Sequence, residues 1–591
     1  MSESRAWRFL LLVGVPALLL AYANTLHNSF HYDDYHSIVE NPSIRDLSRA
    51  ADLLTRPSTF SGMPERAMFR PLVTVSYALN YRLGGYRVEG YHLVNLGLHL
   101  GCSLLVVALG AQLGLGAWPA VAAGLLFGLH PVQAEVVNYI SSRSESLAAL
   151  GYLGSAAAYL RWRTGRRTGW AVASSASLAA GLLAKATAVT LPLAIAAGEA
   201  AAARGPGAGK RTVPARLLAA LGCLTLAYLV AVRTFAGAAL GSPVRPLATQ
   251  VWTQVKAAPF YAWLAVMPVR LSVEHPFQEA ATPWQPAVLA ALAALASGAV
   301  VAVALWRGRH FRSGLLLLAG AVLVALPASL VPLNVLVNEH RLYLSLAFLS
   351  LLVVECFGLP GVALSRAPGG REPGIRGSGG PAGGWGLWAA VALAVVFGVL
   401  SFQRNRLWQN ELTLWGDAVA KAPAAYRAHL HLGGAQEASG DLAAALGSYR
   451  RAAELAPQVA ETHYDLANGL RLAGRVEEAR AAYERSLALA PEFAPALINL
   501  AALEQDAGGL GAAEALLGRA ARAWPGSAEV QRRLGVVRAL QTRPTEAAAA
   551  YGRALALDPG MAEAHYNLGN LHFAQGRLAE AAASYRQALD R

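Results

Sequence analysis

The 591-residue chain combines a mean hydropathy of +0.36 with only 15% charged residues, which excludes an ordinary soluble enzyme. Its net charge of +14 is concentrated in a few places. Stretches 161–167, 204–216, 307–312 and 366–376 carry +4, +4, +3 and +2, residues 1–8 add +1, and 27–90 and 404–591 are each neutral. This is the Lys/Arg bias of cytoplasmic loops in a multi-span membrane protein, not a nucleic-acid footprint.

In chain order, apolar runs long enough to cross a bilayer as helices fall at 8–26, 91–112, 117–134, 146–161, 169–184, 187–203, 215–235, 285–306, 313–332, 341–359 and 385–402. The first follows Arg5 and Arg8 and ends at Ala21-Tyr22-Ala23, which also fits a signal-peptidase site. Cut or retained, it delivers loop 27–90 to the outer face. Segment 248–267 contains Lys256, and counting it as a span would move Arg307, Arg309 and Arg312 outside. It is therefore expected in the outer interface, with Trp252, Phe260, Tyr261 and Trp263 as interfacial aromatics. Eleven spans then put every basic stretch inside and the C-terminal tail outside. The Gly-, Pro- and Ser-rich residues 366–384 read as a flexible inside loop. Cys102, Cys223 and Cys356 sit in apolar segments at unrelated positions and suggest neither a disulfide framework nor a metal knuckle.

Beyond residue 403 a period of 34 residues sets in. Pro423, Pro457, Pro491, Pro525 and Pro559 keep it. So do Ala445, Ala479, Ala513, Ala547 and Ala581; Gly440, Gly474, Gly508 and Gly576, with Thr542 in the fourth place; and Tyr449, Tyr483, Tyr551 and Tyr585, interrupted by Leu517. This is the tetratricopeptide pattern of stacked helical hairpins. The expected fold is all-α: a polytopic membrane helix bundle over 1–403, a connector or cap at 404–425, and a solenoid of five repeats over 426–591. Its groove would take a protein acceptor or partner.

The polar residues of the outer face carry the chemistry. His31-Tyr32-Asp33-Asp34-Tyr35 follows the first span, and neighbouring carboxylates on an extended chain point in alternate directions. One of them can serve as general base toward a hydroxyl; the alternative is an Asx turn closed by Asn41-Pro42. Arg70 lies in Phe-Arg-Pro-Leu, ahead of Asn80. His92, Asn95 and His99 share one helical face. His130-Pro131 is followed by Glu135, Arg143 and Glu145, Lys185 interrupts a turn, and Glu339-His340-Arg341 precedes Tyr343. Arg and Lys at this depth suit a phosphate. Structural alternatives stand beside each: hydrogen bonds between helices for Asn95 and His99, pairing of Glu135 and Glu145 with Arg143, and snorkelling for Lys185. The motifs HExxH, GxSxG, CxxC and a Walker loop are absent from the sequence.

The segments FHYDDYHSIVENPSIRDL, FRPL, NYRLGG, GYHLVNLGLH, LHPVQAEVVNYISSRSESLAAL, GLLAKATAVTLPL and NEHRLYL, in this order and ahead of the repeats, resemble the transmembrane and tetratricopeptide-repeat O-mannosyltransferases of the GT-C class. The resemblance implies transfer of a sugar, expected to be mannose, from a polyprenyl (dolichyl) phosphate to Ser or Thr hydroxyls with inversion. It implies no cofactor and no metal ion. By the same resemblance Asp33 or Asp34 is the base, and Arg341 binds the donor phosphate with Arg70, Arg143 and Lys185 in support. His92, Asn95, His99, His130, Glu135, Glu145, Glu339 and Tyr343 support the site. Tyr32 stands where the family usually has Trp, and Lys185-Ala186 where Lys-Glu is common. The rival readings are the same chemistry on a glycan or lipid acceptor, and a non-catalytic membrane-anchored repeat scaffold. The Ala-, Gly- and Arg-rich usage points to a bacterial inner membrane with the site and repeats on the periplasmic side; endoplasmic reticulum is the eukaryotic equivalent. A reporter fused after Arg591 is expected to be active outside the cytoplasm, and a cytoplasmic signal would restore a twelfth span.

Overall fold

The computed structural model describes residues 3–63, 66, 68–203, 215–241, 244–307, 312–331, 335–356 and 382–590. Basic stretches 204–216, 307–312 and 366–376, and the Gly-rich loop 366–384, lie wholly or largely outside these residues. The described residues are helical with connecting turns, and the chain divides into two units, Met1–Lys421 and Ala422–Arg591.

In the first unit every expected apolar run contains a helix. Seven are long and apolar enough to cross a membrane: Glu3–Thr25, Val88–Gln112, Ala186–Ala203, Ala215–Arg233, Pro286–Ala304, Ser313–Leu330 and Trp388–Gln409. The other four depart from that pattern for local reasons. Ala117–Gly128 stops ahead of His130-Pro131, because a proline disfavours helical geometry in the residue before it. Chain 133–138 then forms a separate short helix. Thr168–Ala184 has 17 residues, Tyr343–Cys356 has 14, and Arg143–Gly165 carries charges at both ends.

Leu247–Val266 is a helix outside the set of seven. Its glutamines face protein rather than lipid: Gln250 donates to the Ser329 carbonyl at 2.7 Å, and Gln254 to that of Leu336 at 3.0 Å. Ala117–Gly128 lies at the centre of the bundle, buried along nearly its whole length. A β-carbon on Gly124 would come within 2.3 Å of Val107, so only glycine permits this approach to Val88–Gln112. The hairpin of Arg143–Gly165 and Thr168–Ala184 is as close, with a β-carbon on Gly151 falling 2.6 Å from the Gly181 backbone. Along Pro286–Arg307, in contrast, Leu289, Leu292, Val300, Val301 and Val303 are exposed, as lipid-facing residues would be.

Residues 404–421, expected as a connector, pack within the first unit, with Trp408, Leu414 and Trp415 buried. The second unit is five helical hairpins: 426–455, 460–489, 494–523, 528–557 and 562–589. The alanines of the 34-residue period are its buried contacts, from Ala445 at 0% to Ala581 at 2% exposure. The tyrosines pack on a small residue 16 positions earlier: Gly433 under Tyr449, Gly535 under Tyr551 and Gly569 under Tyr585. At Leu517 the residue 16 positions earlier is Ala501, as Ala467 is for Tyr483, so leucine replaces tyrosine over the same kind of small residue.

The periodic glycines turn the chain between hairpin helices at φ of +72° to +88°, and Thr542 occupies the same turn at +58°. A β-branched residue is strained there. Thr542→Gly should therefore raise the stability of the full chain's repeat unit by roughly 1 kcal/mol. Gly535→Ala, whose β-carbon would meet Tyr551 at 2.4 Å, should lower it by about 1–3 kcal/mol. Thermal unfolding followed by circular dichroism measures both, and opposite signs would contradict the packing described.

Candidate active site

Loop 28–41 is seated by asparagines at the ends of three helical segments. Asn28 Nδ2 donates to Asn138 Oδ1 at 2.6 Å and to the Asn405 carbonyl at 3.1 Å. Asn138 Nδ2 donates to Asn405 Oδ1 at 2.7 Å, and Asn405 Nδ2 to the Ala21 carbonyl at 2.9 Å. His31 continues the clasp, with Nε2 2.7 Å from the Trp408 carbonyl and Nδ1 2.7 Å from Glu411 Oε1. Buried amides of this kind are costly unless fully paired, so the network fixes one arrangement of loop and helix ends.

Tyr32 then takes φ +47°, its ring edge-on to Tyr139, Trp408 and Trp415. This left-handed residue turns the chain immediately before the two acids, and strain of this kind is commonly stored at functional sites. The carboxylates diverge. Asp34 is fully buried and accepts from the His31 N–H at 3.0 Å, the Ser141 N–H at 2.7 Å and Ser141 Oγ at 2.6 Å. Burial pushes its carboxyl up to about 6, against the pull of those hydrogen bonds. Asp33 is 50% exposed at its side chain, with Oδ1 3.1 Å from both His36 Nε2 and Arg66 Nη1. Partial burial raises its carboxyl, but hydrogen bonds from His36 and Tyr139 and the charges of His36 and Arg66 win and hold it at about 2. Asp33 is thus the ionised, reachable acid and Asp34 the one that anchors the turn. The Asx turn forms further along, where Asn41 accepts from the Ser43 N–H at 3.0 Å.

Segment Tyr139–Glu145 connects these acids to the cations. Tyr139 lies against Tyr32, Ser141 holds Asp34, and Ser144 Oγ is 3.4 Å from Arg70 Nη1. Glu145 pairs with Lys185. Burial lowers the Lys185 ammonium; Glu145 opposes this, while the charges of Arg70 and Arg341 lower it further. Arg70, Lys185 and Arg341 are thus near enough for their charges to act on one another, with Glu145 paired to Lys185 and Glu135 joined to Glu145 through His340. Arg341 meanwhile donates to the Val335 and Leu336 carbonyls at 3.0 and 3.1 Å.

Arg143 is not placed to bind a phosphate. Its fully buried guanidinium donates to Asn95 Oδ1 at 2.7 Å, Asn80 Oδ1 at 2.6 Å and the Tyr91 carbonyl at 2.9 Å, between the rings of Tyr77 and Tyr91. Nor do Glu135 and Glu145 pair with it. Glu135 Oε1 is 2.6 Å from His340 Nδ1, and the far nitrogen of that ring is 4.0 Å from Glu145. Burial pushes the Glu135 carboxyl up, but the charge and hydrogen bond of His340 outweigh it and leave it below its ordinary range.

The remaining candidates join helices. His92 donates to the Asn28 carbonyl at 2.9 Å, and His130 to that of Ala265 at 3.0 Å. His99 bridges the Gly128 carbonyl at 2.8 Å and the Tyr343 hydroxyl at 2.9 Å. Glu339, 1% exposed, accepts from the Ser272 N–H at 2.5 Å and lies 3.2 Å from His275. Its Oε2 is 3.9 Å from Arg404 Nη2, and neither atom has a hydrogen-bond partner. Sequence reading missed Asn28, Asn138, Asn405, Trp408, Glu411 and Ser141. The available signal was amide and aromatic residues clustered at the ends of apolar runs.

Comparison with known proteins covers parts of the chain. Residues 404–460, 498–560 and 541–591 match one model of the tetratricopeptide repeat, and 460–493 match another. The chain is 37% identical over 182 residues to protein O-mannosyl-transferase Tmtc2 of Drosophila melanogaster, and 34% over 185 to Tmtc1 of the same fly. It is 31% identical over 168 residues to human protein O-mannosyl-transferase TMTC4. The chain is a relative of the TMTC proteins. The three alignments take in 29%, 30% and 26% of this chain, and only 19%, 21% and 22% of those relatives. Among solved structures, MamA aligns at 23% identity over 27% of this chain and 93% of its own, with a TM-score of 0.26. A thermophilic tetratricopeptide protein of Thermus thermophilus, TTC0263, does so at 30% identity over 28% and 91%, with a TM-score of 0.25.

The unfolded Asp34 carboxyl ionises near 3.8 and the folded one near about 6, so folding tightens its hold on the proton. Its contribution to stability is full below about pH 4 and is lost as pH rises through about 6. The melting temperature of the TMTC-like chain, relative to its Asp34→Asn variant, should therefore fall across that window. A difference independent of pH would contradict the burial assigned to Asp34.

Proposed function

We propose that the chain is a membrane glycosyltransferase that moves mannose from a polyprenyl-phosphate donor to Ser or Thr hydroxyls of proteins. The observation that carries this reading is segment Tyr139–Glu145, which meets the half-exposed ionised Asp33 through Tyr139 at one end and Lys185, paired with Glu145 and within the fields of Arg70 and Arg341, at the other. The relatives named protein O-mannosyl-transferase support the sugar and the acceptor class.

Asp33 takes the proton of the acceptor hydroxyl as its oxygen bonds to the anomeric carbon. The bond from that carbon to the phosphate oxygen breaks on the opposite face, so the configuration inverts. Lys185, Arg70 and Arg341 stabilise the negative charge gathering on the departing polyprenyl phosphate. No metal ion takes part. Asp34, Ser141 and Tyr32 position the base, and the His340–Glu135 and His340–Glu145 contacts hold the cation loop. The spans hold the lipid tail, and the repeat groove presents the acceptor. The reaction faces the periplasm in a bacterium or the lumen of the endoplasmic reticulum in a eukaryote.

Asp33→Asn should cut transfer from polyprenyl-phosphate mannose by about 10²–10⁴-fold, the usual worth of a general base, with only a small fall in melting temperature from the lost pairing with His36 and Arg66. Asp34→Asn should lower both. Deleting 422–591 should abolish transfer to folded protein acceptors and spare transfer to a short Ser/Thr peptide. Full activity in Asp33→Asn, read by mass spectrometry of the acceptor, rules out the base assignment. Unchanged protein glycosylation after the deletion rules out the acceptor role of the repeats.

A further inference from the structure

Helices Val88–Gln112 and Arg143–Gly165 carry His92 and Glu145 at their starts, within the candidate active site. Their far ends, 20 residues on in each case, meet the start of Thr168–Ala184. At 1.5 Å per residue that separation is roughly 30 Å, the thickness of a bilayer's hydrocarbon core. A cavity of about 540 Å³ opens there, lined by Gln112, Arg161, Arg163, Thr164, Arg167 and Trp170 among others. Its size falls within the range of about 300–1,000 Å³ common for small-molecule sites.

Its arginines are not equivalent. Arg163 is engaged by Glu199 in a two-pronged pair of 2.7 and 2.9 Å, and Tyr159 donates to the same carboxylate at 2.9 Å. Among the described residues Arg161 and Arg167 have no ion pair with an acid. The Arg161 guanidinium lies over the Trp170 ring at 4.7 Å, which fixes its plane and leaves its edges to a ligand. Gln112 Oε1 is buried at the cavity without a hydrogen-bond partner. Turning this amide over would present its NH₂ to an anion. Arginines at helix C-termini also complement the helix dipole. That role needs neither a concave pocket, nor a stacked tryptophan, nor an unpartnered amide.

We propose that this pocket binds a phosphate group, supplied by the headgroup of an anionic glycerophospholipid of the leaflet opposite the candidate active site. Arg161 and Arg167 hold the phosphate oxygens, Gln112 adds a neutral donor, and Trp170 lies level with the glycerol, where tryptophans collect in membrane proteins. The proposal is independent of sugar transfer.

The test is native mass spectrometry of the purified full chain in detergent, titrated with phosphatidylglycerol and with phosphatidylcholine of the same acyl chains. Phosphatidylglycerol should bind in preference. The double variant Arg161→Gln/Arg167→Gln should weaken it by about five-fold for each arginine and about 25-fold in all. Arg82→Gln/Arg87→Gln, which removes two exposed arginines elsewhere, should leave binding unchanged. Arg161→Lys/Arg167→Lys keeps the charge but not the stacked guanidinium and should recover part of the affinity, which separates loss of the site from loss of the fold. Equal binding of the two lipids, or unchanged phosphatidylglycerol binding in the glutamine variant, overturns the proposal. Displacement of the lipid by equimolar inorganic phosphate overturns the lipid source and assigns the pocket to a soluble phosphate.

Discussion

The carboxylate of Asp34, buried and holding the N–H and hydroxyl of Ser141, joins the loop after the first span to the turn that begins Arg143–Gly165. Both sides of the candidate site hang from that junction. Upstream, it fixes the left-handed Tyr32 and so the outward direction of Asp33. Downstream, the same turn aims Ser144 at Arg70 and Glu145 at Lys185. A carboxylate this deep is tolerable because three donors hold it, and removing any of them leaves a buried oxygen short of a partner that solvent cannot replace.

The same constraint explains the density of paired polar groups at this end of the bundle. Amides, imidazoles and the Arg143 guanidinium are engaged with backbone carbonyls or with each other. Such groups hold helix ends in register, and in a membrane protein they cannot fall back on bulk water. Against that background the exceptions stand out. Lys185, Arg70 and Arg341 lie near enough for their charges to act on one another, while Glu339 and Arg404 face each other at 3.9 Å without closing a hydrogen bond. A satisfied network builds the frame, and among these charges Arg341, Glu339 and Arg404 leave some of their hydrogen-bonding capacity unused.

The repeats follow a different logic. Each hairpin buries alanine against its neighbour and tyrosine over a small residue, so contacts are local and repeat with the sequence. Leu517 over Ala501 and Thr542 in a glycine turn show the limits of that regularity. In the first case a leucine fills the tyrosine's place over the same kind of small residue; in the second the backbone turn persists and the residue bears the strain.

Apolar runs and the 34-residue period are properties of neighbours along the chain, so the sequence by itself determined the helical membrane unit, the five hairpins and the kinship with the TMTC proteins. It also drew attention to the acidic pair, Lys185 and Arg341, because charge beside an apolar run is costly wherever the chain goes. Only the tertiary structure separated their roles. Asp33 and Asp34 are adjacent and chemically identical, and their difference comes from Ser141, more than a hundred positions away, and from the φ of Tyr32. Arg143 fits a phosphate equally well on paper, yet Asn80, Asn95 and Tyr91 occupy its donors. Residues 404–421, which follow the last apolar run like a linker, return to cover the first loop through Trp408 and Glu411. Which polar groups are free for chemistry depends on partners brought together by folding, and spacing along the chain carries no record of them.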